Sequence, residues 1–518
     1  IALILASLII VAAVLMSLFR SLTPWAVQYK GDVEQYLSQA LGQTIQIKTM
    51  KTGWYWFQPV LQLEEVRVNP EKKPPLHIKK LLVGINLLKS LWHGRIEPGL
   101  LYLENISIVV RQKDSRWQVD GIRALSLHDK DLINLEQSQK ILGWLAGRNS
   151  IIIKHVSVWI HPQTGDAVPI KDMNISIINK EGRYKLKGEA FIGKEHPSRL
   201  EIIGDVYYDP FQVKNTQGQV YVSGKHMVLK PWQHVFPNRF KPFTAGKGNL
   251  DLWLDLKKGS VSAIQGQIQL QQIMWQLSGK KNQQVEALSA NFLWKPLVTG
   301  WQLQADKVRL VMTGTIWPEN KILLKKDTIQ NTYQLYAKML LIQPFLAMNL
   351  DWPKSIQKLM QLKPKGLLVD SQLVLKDFEP VYILTNFKNL AWEFPQYKTK
   401  LSNLSGVFHW QPTEGRLELD SEGVSIDTKG YPKQLFTLLN GALDWKELAQ
   451  GLRLSIDRLL VSQAELTLSM EGILDKLSPD SLGNIQLQAD FSGKNLQQWI
   501  ALIPKKYLKP KLELWLQQ

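Results

Sequence analysis

The sequence predicts a mainly β fold: an elongated, twisted antiparallel β-sheet curled into a groove (a β-taco), with an N-terminal transmembrane helix and a few short helices. The first observation behind this prediction is a repeated alternation of apolar and polar residues, clearest in residues 249–256 (NLDLWLDL), 416–420 (RLELD) and 484–491 (NIQLQADF). Successive side chains of a strand point to opposite faces, so each run makes a strip with one apolar and one polar face. The second observation is that Gly, Pro, Asn and Asp separate these runs, as turns require. The third is an uncharged stretch at residues 1–19.

The composition is that of a folded protein with a basic surface. The chain has 518 residues, 45% of them hydrophobic, and its 63 Lys and Arg exceed its 45 Asp and Glu to give a formal net charge of +18. Such an excess suits nucleic acid, an anionic membrane surface, an acidic ligand or simply a basic surface. Because the chain has no run of five Lys or Arg, we expect no nucleic-acid partner. The absence of cysteine excludes disulfides and Cys-based zinc sites, and it suits a bacterial envelope protein as well as many cytosolic ones.

Residues 1–20 are expected to form a single transmembrane anchor. The uncharged run is rich in Ile, Leu, Val and Ala, ends at Arg20 and is just long enough to cross a bilayer as a helix. A cleaved signal peptide is the main alternative, but residues 17–20 (SLFR) do not resemble a small-residue cleavage site. The orientation cannot be read from flanking charges, because the sequence starts inside the apolar run.

After the anchor, the pattern predicts an amphipathic helix over residues 21–41 and then strands almost to the end. Residues 86–94 are expected to form a short helical turn and residues 131–145 a further helix. We divide the chain into the anchor (1–20), a region with the amphipathic helix and the first strands (21–145) and a repetitive β-groove (146–518). The predicted strands are 44–50, 60–68, 76–85, 100–111, 151–160, 184–192, 200–207, 218–223, 248–256, 262–270, 287–294, 301–312, 332–339, 367–375, 381–385, 406–410, 416–426, 441–445, 453–461, 465–472 and 483–491.

Internal repeats support an elongated architecture. Residues 300–307 (GWQLQADK) resemble 451–458 (GLRLSIDR), and the order of motifs in residues 223–254 returns in residues 492–516, with a weaker third copy in residues 337–375. Such repeats are typical of folds in which each unit contacts its neighbours, although similar strands also resemble each other by chance. The sequence stops in the middle of the last repeat, so we expect either a longer protein or a partner that continues the sheet.

The sequence contains no recognisable catalytic or metal site, so we expect no enzyme activity, cofactor or metal. The nine His are scattered without the i, i+4 spacing of a helical zinc site, and no glycine-rich phosphate loop or serine nucleophile motif occurs. Carboxylates such as Asp251, Asp255, Asp306 and Asp457 fall on polar strand faces or turns. The 19 Trp suit either strand packing and a membrane interface or sugar recognition, and we favour the first interpretation.

The segment after the anchor resembles a known family. Residues 42–47 (GQTIQI), 53–68 (GWYWFQPVLQLEEVRV) and 87–94 (LLKSLWHG) are similar to the start of the AsmA-like proteins of Gram-negative bacteria. Within that family the chain most resembles the YhdP branch, bridge-like lipid transfer proteins related to TamB. The resemblance implies a single-pass inner-membrane protein with its bulk in the periplasm, which moves phospholipids between the inner and outer membranes through a hydrophobic β-groove. It implies phospholipids and the inner membrane as partners, with further envelope proteins at either membrane, and a full protein longer than 518 residues.

The strand pattern by itself is compatible with such a groove. A sheet with one apolar face must cover that face, and curling leaves a trough that acyl chains can fill at about 0.8 kcal/mol per buried CH₂. The alternative is that the same residues pack the core of a closed sandwich. The expected lipid-binding residues are Leu61, Leu63, Leu186, Ala190, Leu250, Leu252, Leu254, Ile268, Leu270, Leu303, Ala305, Leu417, Leu419, Leu454, Ile456, Leu466, Leu468, Ile485 and Leu487.

Two other functions remain open from the sequence. A scaffold that assists outer-membrane protein assembly would pair strands with its clients through an edge strand. An envelope hydrolase acting on glycan would need catalytic carboxylates, for which no motif is present.

Overall fold

The computed structural model of the protein describes most of the chain between residues 28 and 493. The described residues are 28–41, 43–55, 58–69, 76–86, 98–113, 116–120, 126–127, 150–193, 197–208, 212–231, 243–276, 283–312, 314–347, 360–430, 433–477 and 483–493, with single positions at 10, 13, 14, 17, 21, 90, 92, 94 and 357. The predicted anchor (1–20), apart from four of these positions, the predicted helix at 131–145, the boundary near 145 and the repeat at 494–516 lie outside the described residues.

The chain divides into two compact units, Ile1–Gln276 and Leu277–Gln518. In the first unit, helix α1 (Lys30–Leu41) precedes the strands. The strands of this unit are β1 (Ile45–Tyr55), β2 (Gln58–Val68), β3 (Leu76–Ile85), β4 (Pro98–Lys113), β5 (Arg116–Val119), β6 (Ser126–Leu127), β7 (Ser150–His161), β8 (Val168–Lys180), β9 (Arg183–Ile192), β10 (Ser198–Tyr207), β11 (Gln217–Val228), β12 (Phe243–Lys257) and β13 (Ser260–Trp275). A 3₁₀ turn at Val213–Asn215 precedes β11.

The strands of the first unit pair in chain order, with one exception to the expected antiparallel arrangement. Neighbours from β1 to β4 and from β7 to β13 are antiparallel. Strands β4 and β7 pair in parallel, with Leu101 opposite Ile151. The predicted antiparallel arrangement is therefore confirmed for the other strand pairs named here and wrong for β4 and β7. A parallel pair needs a crossover connection of a dozen or more residues, and the chain between Lys113 and Ser150 is long enough to supply one.

The second unit is an antiparallel meander. Its strands are β14 (Gln283–Leu297), β15 (Gly300–Met312), β16 (Thr315–Ile316), β17 (Asn320–Asp327), β18 (Thr332–Leu341), β19 (Lys365–Lys376), β20 (Glu379–Phe394), β21 (Thr399–Gln411), β22 (Glu414–Thr428), β23 (Gln434–Leu448), β24 (Gly451–Gln463), β25 (Leu466–Leu477) and β26 (Asn484–Ser492). Helix α2 (Ile342–Ala347) follows β18, and a 3₁₀ turn at Pro395–Tyr397 follows β20. Strand β15 pairs with both β16 and β17, and every later strand pairs with the next.

The mainly β prediction is confirmed, while the predicted helices are only partly described. Helix α1 occupies the second half of the predicted 21–41 segment. In the predicted turn at 86–94, the Ser90 N–H donates to the Asn86 carbonyl at 2.9 Å, as in a helix. Among the residues that the structure describes, no helix combines the length and apolar content needed to cross a membrane.

Most long strands contain a β-bulge. In β7, β8 and β11 the register shifts at His155, Asp172 and His226, each of which has a positive φ near 50°. The extra residue leaves its backbone N–H outside the ladder, and side chains of the next strand accept from two of them: Asn174 Oδ1 from His155 N at 3.0 Å and Asn249 Oδ1 from His226 N at 2.9 Å. A bulge bends its strand and increases the local twist.

The bulges also change which residues face the core. In β7, Ile151 and Ile153 pack in the same cluster as Val156 and Val158, although the two pairs have opposite parity. The extra residue at His155 makes this possible, because it shifts the alternation by one position.

Candidate functional site: a continuous apolar sheet face

In the first unit, apolar residues of neighbouring strands form unbroken rows across one face of the sheet. Residues paired across strands share a face, so the register defines each row. One row, from β2 to β13, is Leu61, Val83, Leu101, Ile151, Ile177, Leu186, Gly204, Val220, Leu254 and Ile264. The adjacent row is Leu63, Leu81, Leu103, Ile153, Ile175, Gly188, Ile202, Val222, Leu252 and Gly266. A shorter third row joins Ala190, Leu200, Gly224, Leu250 and Ile268.

The second unit has an equivalent face. One row from β14 to β26 is Trp294, Leu303, Leu324, Leu335, Leu373, Ile383, Trp410, Gly415, Trp445, Leu454, Leu474 and Ile485. Beside it, Phe292, Ala305, Ile322, Ala337 and Ser371 form one segment, and Thr385, Phe408, Leu417, Leu443, Ile456, Gly472 and Leu487 form the next. The Ser371 and Thr385 hydroxyls join the two segments at 2.7 Å. We call these rows, in each unit, the apolar face.

Most of the expected lipid-binding residues lie on this face with part of their surface accessible. Leu186, Leu252 and Leu254 in the first unit and Leu303 and Leu454 in the second are half-buried. The interior of a closed sandwich would cover such side chains almost completely. The open parts of each apolar face are therefore available to a ligand.

A few of the expected residues are placed differently. Leu63 is 0% exposed and lies in a protein core cluster, and Ala190, Ile456 and Leu466 are also buried. Ile485 and Leu487 on β26 are exposed at 48% and 45%. Exposure thus differs from residue to residue within each apolar face, which the alternation alone does not reveal.

Helix α1 closes the apolar face at β1. Val33 and Leu37 pack against the cluster that contains Ile45, Leu63 and Val66. Three polar side chains on another side of the helix form hydrogen bonds with the backbone of β1. Ser38 Oγ accepts from Ile45 N at 3.0 Å, Glu34 Oε1 accepts from Ile47 N at 2.6 Å, and Lys30 Nζ donates to Lys48 O at 3.3 Å. Residues spaced by four lie on one side of a helix, so α1 takes the place of a neighbouring strand. It both covers apolar surface and occupies the edge of the sheet.

In the second unit, α2 covers the part of the face around Phe387 and Leu390. Ile342 is 8% exposed and belongs to a cluster with Phe387, Leu390, Leu404 and Val424. Phe387 precedes the bulge at Asn389 and continues the alternation of Ile383 and Thr385, whereas Leu390 lies beyond that bulge, opposite Leu404. Each unit therefore has a covered portion and an accessible portion of one apolar surface.

The opposite face of both units carries cross-strand ion pairs. Arg183 donates from Nε and Nη2 to the two carboxylate oxygens of Asp205 at 2.7 and 2.8 Å, and these bonds lower the pKa of the Asp205 carboxyl. Arg453 binds Asp475 in the same way, again lowering the pKa of the acid. Because each pair joins neighbouring strands, it holds their register and leaves little unpaired charge.

Asp251 on this face accepts three side-chain hydrogen bonds. Burial tends to raise the pKa of Asp251, but hydrogen bonds from Lys225, Ser223 and Tyr221, all at 2.7 Å, outweigh burial and lower it. The carboxylate is therefore held ionised by its own neighbours. Among the described residues, no group of three or more His, Asp or Glu is arranged to hold a metal ion.

The tryptophans divide between the two faces. Trp294, Trp410 and Trp445 lie on the apolar face, where Trp445 stacks on Phe408 with centroids 5.9 Å apart. Trp253 lies on the polar face, 43% exposed and 5.2 Å from the ring of Tyr221. Packing thus explains the first group, as expected from the sequence.

Comparison with known proteins gives the family. The family model described as YhdP protein matches residues 1–518. The chain belongs to the YhdP family. The intermembrane phospholipid transporter YhdP of Escherichia coli (strain K12) is 21% identical over 331 residues, which cover 62% of this chain. The matched part spans 24% of that relative's length. No solved structure matches the chain.

Proposed function

We propose that this chain moves phospholipids between the inner and outer membranes, with the acyl chains lying along the apolar face. The observation that carries the proposal is that each unit has a continuous apolar row across its strands, with half-buried residues such as Leu254 and Leu454 in it. The printed function of the Escherichia coli relative, intermembrane phospholipid transport, supports the same cargo.

The energetics of such a face suit movement rather than tight binding. Each CH₂ removed from water contributes about 0.8 kcal/mol. Because the accessible parts of the rows present similar apolar side chains on strand after strand, a tail gains about the same free energy at each accessible position. A lipid is thereby held on the face without a deep minimum, and its polar head group stays at the wet margin.

The remaining features of the proposal follow from the sequence and the bulges. Residues 1–20 anchor the chain in the inner membrane as a single pass, and the sheets lie in the periplasm as a curled groove. The bulges supply the bending that a groove requires. The lining residues are the accessible members of the predicted set, such as Leu252 and Leu454, while Leu63 shapes the closed end under α1. The chain acts as a conduit and not as an enzyme.

The proposal is tested by mass spectrometry of the molecules that copurify with residues 21–518 in mild detergent. We expect phospholipids, at more than one per chain, because the rows are longer than one lipid. Purification free of lipid, together with crosslinks from an edge strand to nascent outer-membrane barrels, would instead favour a scaffold for barrel assembly.

A further inference from the structure

One lysine of the second unit lies on the apolar face itself. Lys326 belongs to the last row before the hairpin turns, two residues beyond Leu324 on β17. The row consists of Pro296, Trp301, Lys326, Tyr333, Leu375 and Pro380. A cation therefore stands at the boundary between the apolar rows and the solvent.

Aromatic rings hold this lysine in place. Lys326 Nζ lies 4.9 Å from the centroid of the Tyr333 ring, and Lys326 is half-buried. The Tyr333 ring in turn lies 5.2 Å from Phe378, which is 67% exposed in the β19–β20 turn. Amphipathic aromatic and basic residues of this kind favour a boundary between apolar and aqueous surroundings.

The charge of Lys326 is not neutralised by the protein. Within the described part of the chain, no carboxylate lies within 4.0 Å of Lys326 Nζ, whereas Arg183 and Arg453 on the polar face are paired. The adjacent carboxylate of Asp327 is bound elsewhere, since it accepts from the hydroxyl of Thr299 and from backbone N–H groups of the β17–β18 turn. An unpaired cation beside an apolar surface favours an anion that carries apolar groups.

We propose that Lys326 binds the phosphate of a phospholipid whose acyl chains lie on the adjacent row of the apolar face. The inference rests on the proposed function and adds a head-group contact to it. Residues two apart on a strand are about 6.6 Å apart, so a phosphate at Lys326 places the glycerol beside Leu324 and its row neighbours Leu303 and Leu335. The phosphate is that of a lipid and not free phosphate. At this site free phosphate would contact a single cation, Lys326, whereas a phospholipid would contact both Lys326 and, through its tails, the neighbouring apolar row.

The chain offers a matched control in the next residue. Lys325 carries the same charge on the same strand but points to the opposite face, opposite Gln302 and Gln334. Lys326→Gln and Lys325→Gln therefore make the same change in net charge on two sides of one sheet. Lys326→Arg keeps the cation and should keep the binding.

The experiment places a photo-reactive amino acid at Leu335 of the full chain in mild detergent and measures capture of phosphatidylglycerol and of diacylglycerol with the same tails. We expect at least tenfold more capture of phosphatidylglycerol in the parent chain, a fall to the diacylglycerol level in Lys326→Gln, and no change in Lys325→Gln. Thermal unfolding of each variant checks that the fold is kept.

Other outcomes overturn the inference in distinguishable ways. Equal capture of both lipids, or the same effect of both glutamine variants, removes Lys326 as a phosphate contact while leaving lipid binding intact. Capture of neither lipid at Leu335 contradicts the proposed function as well. Displacement of phosphatidylglycerol by millimolar inorganic phosphate would show that the site takes the free anion.

Discussion

Replacing Leu252 with lysine should interrupt the apolar face of the first unit. Leu252 lies in the middle of β12, between Val222 and Gly266 of the neighbouring strands, and is half-buried. Strands are about 4.8 Å apart, so one strand's width matches roughly four CH₂ groups of an acyl chain, worth about 3 kcal/mol at 0.8 kcal/mol each. An ammonium group at this point removes most of that gain, which corresponds to about a hundredfold lower local occupancy.

The assay is capture of phospholipid by a photo-reactive amino acid at Leu254, one row from the substitution. Ile203→Lys is the matched control, because Ile203 is an aliphatic residue, 44% exposed on the polar face of β10. We expect capture at residue 254 to fall at least tenfold in Leu252→Lys and to stay unchanged in Ile203→Lys. Equal capture in the two variants, with both folded, would refute the reasoning that tails lie along this face.

Three further predictions concern the stability of the sheets. Glu34→Ala removes the acceptor for a backbone N–H at the β1 edge and should lower the free energy of unfolding by about 1–3 kcal/mol in urea titrations, with Glu34→Gln retaining most of it. Gly415→Ala should destabilise the second unit by about 1–3 kcal/mol, because the new Cβ would overlap the Trp445 ring and lie 2.7 Å from the His409 carbonyl oxygen; an unchanged melting temperature would contradict the packing. The pKa of Asp205 is lowered by Arg183, so the ion pair stabilises the fold above the unfolded pKa near 4 and is lost as the pH falls through the folded value. Asp205→Asn should therefore be less stable than the parent at pH 6 and equal to it near pH 2, as measured by urea unfolding at each pH.

The sequence predicted the face of the sheet better than the length of its strands. Leu252 and Leu454 lie on the apolar face as predicted, because local alternation assigns a face within any regular stretch. The strands were predicted too short where a bulge shifts that alternation. The segment 218–223 stopped before the bulge of β11 at His226, and 381–385 stopped before that of β20 at Asn389.

Five described strands were not predicted: β5, β6, β8, β16 and β17. The two longest of these, β8 and β17, were missed for related reasons. Strand β8 (Val168–Lys180) contains Pro169, a bulge at Asp172 and several polar residues, so it resembles a loop. Strand β17 (Asn320–Asp327) has three consecutive apolar residues and no alternation. Both are fixed by pairing with strands on either side, which is tertiary information. The similarity of residues 300–307 and 451–458 was informative, since each segment starts a strand and reaches its bulge seven residues later, at Lys307 and Arg458.

In the candidate site, too, local alternation predicted some features, while others depend on tertiary contacts. The alternation could not show that α1 buries Leu63, because that contact joins a helix to a distant strand. The alternation also did not identify Lys326. Once β17 is known, the position of Lys326 two residues after Leu324 places it on the apolar face.

The most direct test of the account compares lipid capture on the two faces of each unit. Photo-reactive amino acids at Leu252 and Leu454 lie on the apolar face, and those at the neighbouring Asp251 and Ser455 lie on the polar face. In cells with the full-length protein, we expect phospholipid adducts at Leu252 and Leu454 and none above background at Asp251 and Ser455. Equal labelling of the two faces would contradict the claim that the apolar face carries the lipid.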